Sequence, residues 1–270
     1  MLDEDDAHPA EIVNRGGASP LFFVCEHASR TIPKKLGVLG LDDTDLERHI
    51  AWDIGAASMS RQLADAFDAT LVLQRYSRLV IDCNRPPRTP AAMPEISEST
   101  VIPGNLQLRE ADREDRISSV FDPFHDAISG LLDERSAAGR TSILITVHSF
   151  NRVYDGFERP WHVGAQYNRA PEFSQRINAL LAREETLCVG DNQPYPVNDD
   201  THYTIPVHGE RRGIMHTMLE VQNDLVCDAQ GQMIWAERLA GVINQAVMEM
   251  EDHDAAQPAM STGQVGGLDA

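Results

Sequence analysis

Leu21-Phe22-Phe23-Val24, running directly into Cys25-Glu26-His27-Ala28-Ser29, is the stretch that decides the fold. A continuous apolar run reads as a strand buried on both faces, the mark of a largely parallel sheet; a strand with one wet face alternates apolar and polar residues. The acid and the imidazole that follow then stand at the carboxyl end of a core strand, where open α/β sheets place their ligand sites. The pattern recurs at Ile143-Leu144-Ile145-Thr146-Val147, which leads into His148-Ser149. Two histidines at the ends of two core strands point to convergence on one metal or one substrate.

Working outward, Asp42 to Phe67 carries apolar residues at helical spacing with an interruption at Gly55. Strands are expected at Thr70 to Gln74 and Leu79 to Cys83, followed by a proline-rich segment that cannot be a regular element. A helical stretch from Leu108 to Ala138 contains Pro123, where it should kink or split. After a long loop, Ser149 to Ala170, come a helix from Pro171 to about Glu184 and a strand at Thr186 to Val189. The chain closes with a strand at Ile214 to Val221 and a helix from Met233 to Met250. Alternation of strand and helix predicts a three-layer α/β/α sandwich with a mixed, mostly parallel central sheet.

The 270 residues suit one domain, over residues 20–250, flanked by acidic ends at 1–19 and 251–270. Each end carries a net charge of −4 out of the formal −19 and has the composition of a disordered tail. An acidic chain without Lys/Arg runs is a poor binder of phosphate backbones, so no nucleic-acid partner is expected. The sequence has no apolar run long enough to span a bilayer, and Met-Leu-Asp-Glu-Asp-Asp is not a secretory leader. The expectation is a cytoplasmic protein without a membrane partner. Cys25, Cys83, Cys188 and Cys227 are too widely spaced for a zinc knuckle or a disulfide framework.

A catalytic zinc takes three protein ligands, commonly two histidines and a carboxylate, with the fourth position left to water. His27 and His148 supply the imidazoles, and the carboxylate is either Glu26 or Asp53. Adjacent side chains on a strand point in opposite directions, which disfavours Glu26 and His27 on one ion and favours Asp53. The alternative role for Asp53 is an N-cap of a helix restarting near Gly55. Glu220, near the end of a late apolar strand, suits a general base for water; the alternative is a buried acid paired with an arginine. In Arg75 to Pro86, Arg78 and Arg85 offer planar forks for an anionic substrate, unless one is consumed by an ion pair with Asp82.

Taken in order, these segments resemble the N-formylglutamate amidohydrolase family. The likeness runs through Cys25 to Ser29 with Ile32-Pro33, His49 to Gly55, Tyr76 to Arg85, Val147 to Phe150 with Arg159-Pro160-Trp161, Asn192 to Tyr195, and Leu219-Glu220-Val221 with Asp224. It implies a hydrolase-like fold as in zinc exopeptidases, one zinc ion per chain, and hydrolysis of the amide of an N-acyl, N-formyl above all, acidic amino acid. By position, His27, Asp53 and His148 would bind the metal and Glu220 would be the base. Arg78 would polarise the scissile carbonyl or bind a second carboxylate, and Asn84, Arg85, Ser149 and Arg159 would bind substrate. Glu26 and Ala28-Ser29 stand where the histidine-pathway enzymes have a proline and a glycine, which places this chain in a divergent branch. The rival functions are a metallo-carboxypeptidase or amidase for small peptides or cell-wall fragments, and a non-catalytic carboxylate-binding relative.

Overall fold

The runs Leu21 to Cys25 and Ile143 to Phe150 pair as parallel neighbours in the interior of a seven-stranded sheet. The computed structural model describes residues 1–256. In chain order it forms β1 (Ala10–Val13), β2 (Leu21–Cys25), α1 (Asp43–Glu47), α2 (Ala56–Phe67), β3 (Thr70–Gln74) and a small hairpin of β4 (Ile96–Ser97) and β5 (Thr100–Val101). Then follow α3 (Glu110–Arg116), α4 (Asp122–Ala137), β6 (Ile143–Phe150) and a second small hairpin of β7 (Val153–Tyr154) and β8 (Phe157–Glu158). The last elements are β9 (Val163–Gln166), α5 (Glu172–Leu181), β10 (Val189–Asp191), β11 (Met215–Gln222) and α6 (Ala229–Ala256).

The sheet order is β1-β3-β2-β6-β11-β9-β10; β1 pairs antiparallel to β3 and β11 antiparallel to β9, while the other neighbours are parallel. Side chains alternate between the faces. Phe22, Val24 and Leu144 pack with α4, and Leu21, Phe23, Ile143, Ile145 and Leu219 pack with α2, α5 and α6. This is the three-layer α/β/α sandwich with a mixed sheet. No helix among the described residues is long and apolar enough to cross a membrane.

Register positions the site. Val24 lies opposite Thr146 and His148 opposite Glu220, so two residues past Val24 the chain brings Glu26 level with His148. With a side-chain period of two, Glu26, His148 and Glu220 emerge on the same face, that of α4. Asp53 is supplied by the turn before α2, and its backbone N–H donates to the His27 carbonyl at 2.9 Å. Gly55 makes that turn possible: its φ is +81°, and a Cβ there would lie 2.2 Å from the Val226 carbonyl oxygen.

Several elements differ from the expectation. Leu79 to Cys83 is a series of buried turns, in which Val80 N–H donates to the Ser77 carbonyl at 2.9 Å and Asp82 N–H to the Ala92 carbonyl at 2.7 Å. Leu79, Val80 and Ile81 are apolar because they fill the core, not because they form a strand. Pro123 does not break the helix at its own position; a wider π turn at Ile117–Phe121 joins α3 to α4, absorbing the hydrogen bond that proline cannot donate. The expected loop Ser149 to Ala170 holds the β7/β8 hairpin and β9. The N-terminal segment 1–19, expected to be disordered, contains β1, the edge strand paired with β3, and Glu11 within it pairs with Arg61 at 2.7 Å. At the other end α6 extends to Ala256, and residues 257–270 of the expected tail lie outside the described residues.

Gly55→Ala should lower the unfolding free energy in urea by at least about 2 kcal/mol, because it adds a left-handed penalty to a backbone clash. Gly241→Ala, in the exposed interior of α6 where a Cβ meets nothing within 4 Å, should instead raise it by about 0.5–1 kcal/mol.

Candidate active site

At the carboxyl ends of β2, β6 and β11 lies a cavity of about 340 Å³. Its floor is a buried cluster. Asp53 Oδ2 sits 3.2 Å from His27 Nδ1 and 2.9 Å from His148 Nδ1, and one donor atom from each of the three residues lies within 4.8 Å of the others. The second nitrogen of each ring faces another acid: His27 Nε2 is 2.7 Å from Asp82 Oδ1, and His148 Nε2 is 3.2 Å from Glu26 Oε2. Asp82 is hydrogen-bonded to His27 Nε2 and Glu26 stands behind His148 Nε2, so both rings turn Nδ1 toward Asp53, the kind of arrangement that orients histidine ligands at metal sites.

The charge balance calls for a cation. Glu26, Asp53, Asp82 and Glu220 are all buried around the two histidines; among the arginines and lysines of the described residues Arg78 pairs with them, through Asp53 Oδ1 at 3.2 Å and Asp82 Oδ2 at 2.7 Å, and His49, whose pKa burial lowers to about 4, lies 3.7 Å from Asp53 Oδ1. Both Glu26 oxygens and Glu220 Oε2 accept no hydrogen bond. Buried acids in excess of their donors are costly unless a metal or proton compensates them. The donor set of two imidazoles and one carboxylate, with Glu220 beside it, fits a divalent metal ion.

Titration follows the same geometry. Burial pushes the Glu220 carboxyl up to about 7, with Asp53 adding to the rise and the two histidines and Arg78 opposing it. A dication between the histidines would pull it back toward the ordinary carboxylate range. For Glu26, burial acts upward, but His148 outweighs it and brings the carboxyl down to about 2. Burial likewise opposes charge on His148, yet Glu26 and Asp53 raise its pKa well above the usual imidazole value.

Along the cavity wall, Arg85 donates from NH1 to the carbonyls of Asn84 (3.2 Å) and Thr201. Asn84 Oδ1 accepts from Tyr203 N–H at 3.2 Å and Thr204 N–H at 3.3 Å, so residues 201–204 fix the Asn-Arg pair. His202 is packed beside them. Asn198 N–H lies 3.4 Å from its Nδ1, and because a backbone N–H only donates, Nε2 carries the proton. Burial, with Arg85 adding, lowers the pKa of His202 to about 3, so the ring is neutral.

Comparison with known proteins agrees with this geometry. The family model for N-formylglutamate amidohydrolase matches residues 19–227. The chain belongs to the N-formylglutamate amidohydrolase family. Among solved structures, the gene product Atu2144 from Agrobacterium tumefaciens is 39% identical, with a TM-score of 0.89 over 93% of this chain and 99% of that chain. An N-formylglutamate amidohydrolase from Ralstonia eutropha JMP134 shares the fold at 16% identity, with a TM-score of 0.66 over 91% of this chain and 100% of that chain. No curated protein matches the chain.

In this member of the N-formylglutamate amidohydrolase family the residues singled out from sequence take four kinds of position. His27, Asp53, His148, Glu220, Arg78, Asn84 and Arg85 line the cavity together. Ser149 also lines it, but its hydroxyl donates to the Ile54 carbonyl at 2.8 Å and thereby secures the turn that carries Asp53. Arg159 stands behind the lining, with its guanidinium 4.5 Å from the Tyr195 ring centroid and 4.7 Å from that of Tyr154. Glu26 lies on the far side of His148 from Asp53, in the position of an orienting carboxylate. Sequence reasoning names Asp82 only as an ion-pair partner for an arginine, which it is for Arg78, and misses its contact with His27; it passes over His202, which stands in no local pattern that marks it.

Asp53→Ala should abolish tight binding of a divalent ion, as should His27→Ala and His148→Ala, in a titration against a competing chelator. Glu26→Gln and Asp82→Asn should keep binding but weaken it about 10–100-fold, the usual cost of losing an orienting partner. Full affinity in Asp53→Ala with loss in Glu26→Gln would reverse the two roles.

Proposed function

We propose that the protein is a zinc-dependent amidohydrolase that cleaves the amide bond of an N-acyl amino acid. The observation that carries this reading is Glu220, a 5% exposed carboxylate whose Oε2 has no hydrogen-bond donor, paired in register with His148 of the two-histidine, one-aspartate cluster. The chemistry that zinc supplies in such a site is Lewis-acid polarisation of a carbonyl and acidification of water.

The side chains then divide the work. Glu220 takes the proton of the attacking water at Oε2 and passes it to the leaving nitrogen. Arg78, fixed by Asp53 and Asp82, directs its remaining N–H groups into the cavity, where they stabilise charge developing on the carbonyl oxygen. Arg85, with NH1 committed to backbone carbonyls, presents the rest of its fork to the substrate's α-carboxylate. Asn84 Nδ2 and His202 Nε2 add neutral donors beside it. N-formylglutamate, the compound in the family's description, is the first substrate to assay; an acidic amino acid is the class that description names.

The test is hydrolysis of a panel of N-acyl amino acids by zinc-loaded protein, repeated after chelation. Turnover should appear only with metal, and a loaded protein that hydrolyses none of the panel refutes the assignment. Glu220→Gln should retain zinc while kcat drops by on the order of a hundredfold or more, since the amide cannot accept the proton. Arg85→Ala should cost roughly 2–5 kcal/mol in kcat/KM, a loss that disappears when the substrate's α-carboxylate is replaced by its amide.

A further inference from the structure

We infer that His125 and His208, two buried histidines outside the cavity lining, are positioning residues that fix the Cys83–Asn84 peptide and, through it, both the metal cluster and the Asn84-Arg85 pair. The inference rests on the amidohydrolase reading above. His125 stands on α4 among Phe121, Phe124 and Tyr203, with Nε2 2.8 Å from the Cys83 carbonyl oxygen and Nδ1 2.9 Å from His208 Nε2. His208 belongs to the π turn Ile205–Glu210. Its Nδ1 lies 3.5 Å from the hydroxyl of Ser129, one turn along α4 from His125.

Chemistry sets the direction of these bonds. A carbonyl only accepts, so His125 carries its proton on Nε2 and offers a lone pair at Nδ1; His208 then donates from Nε2 and accepts from Ser129. Burial lowers the pKa of His125 to about 4 and that of His208 to about 3, so both rings stay neutral and keep this pattern. Among the described residues, His125 is the donor that reaches the Cys83 carbonyl. The N–H of the same peptide, that of Asn84, donates at 2.9 Å to Asp82 Oδ1, the oxygen 2.7 Å from His27 Nε2. The peptide is thus gripped on both sides. A rotation that freed its carbonyl would withdraw the Asn84 N–H from Asp82 and swing the Asn84-Arg85 pair. Two neutral imidazoles among aromatic rings carry a desolvation cost that leucine or phenylalanine would avoid. What they add to the fold is a fixed plane for one peptide.

Substitutions that keep one nitrogen at a time separate this role from packing: glutamine places its amide nitrogen near the position of Nε2, asparagine near that of Nδ1. The experiment compares wild type, His125→Gln and His125→Asn as full chains. It measures zinc affinity against a competing chelator, and kcat/KM of the zinc-loaded protein for the fastest N-formyl amino acid of the panel above and for its α-amide. His125→Gln should stay close to wild type in all three. His125→Asn should bind zinc about tenfold more weakly and lose about tenfold in kcat/KM for the free acid, with a smaller loss for the α-amide, which does not use Arg85. A role in stability alone would lower the unfolding midpoint and leave zinc affinity and the acid-to-amide ratio unchanged in His125→Asn; that result overturns the inference. A zinc-loaded wild type that cleaves none of the panel overturns the amidohydrolase reading, and zinc affinity then decides the positioning role by itself. Should neither variant fold, ring-nitrogen NMR shifts of the wild type decide it: both histidines should hold the Nε2–H form between about pH 6 and pH 8, and an Nδ1–H form at His125 overturns the inference.

Discussion

One buried carboxylate ties the site together. Asp53 receives His27 and His148 on one oxygen and Arg78 on the other, with Ser149 N–H 3.4 Å from the first. Those partners come from the ends of β2 and β6 and from the turns after β3, so displacing Asp53 would loosen three segments at once. Burial pushes the pKa of this acid up; the histidines outweigh that and hold it well below the usual carboxylate range. The arrangement needs strands in fixed register, because a slip of one residue would send His148 to the opposite face.

Parallel β2, β6 and β11 meet that need, with both faces covered and side chains locked by the core. Carboxylates behind the imidazoles add a second constraint. Asp82 and Glu26 leave neither ring free to turn without stranding a buried charge. The acids that are costly to bury are the same groups that define the ligand geometry.

The interior strands are legible because burial on both faces writes itself as an unbroken apolar run. The same rule misreads Leu79 to Cys83, where an apolar run is a buried turn, and it passes over β1, a short edge strand with charged neighbours. In the site, His27, Asp53, His148 and Glu220 can be picked out by their chemistry and their places at strand ends. Asp82 cannot be placed, since its contact with His27 spans 55 residues and exists only in the folded chain. Glu26 is legible only halfway: pleating says that it and His27 diverge, but the partner it finds behind His148 is a matter of register between strands.

The cavity is built from two kinds of chain. Most of the reacting groups stand on the sheet and the turns that immediately follow its strands, up to Arg85, whereas Ala91, Pro94, Ile96 and Glu98 belong to the later excursion between Arg85 and α3. Substitutions in that excursion can reshape the wall without moving a strand. Chemistry and selectivity are thus separately heritable in this fold: a lineage can exchange the compounds it consumes while its hydrolytic apparatus stays under unchanged selection.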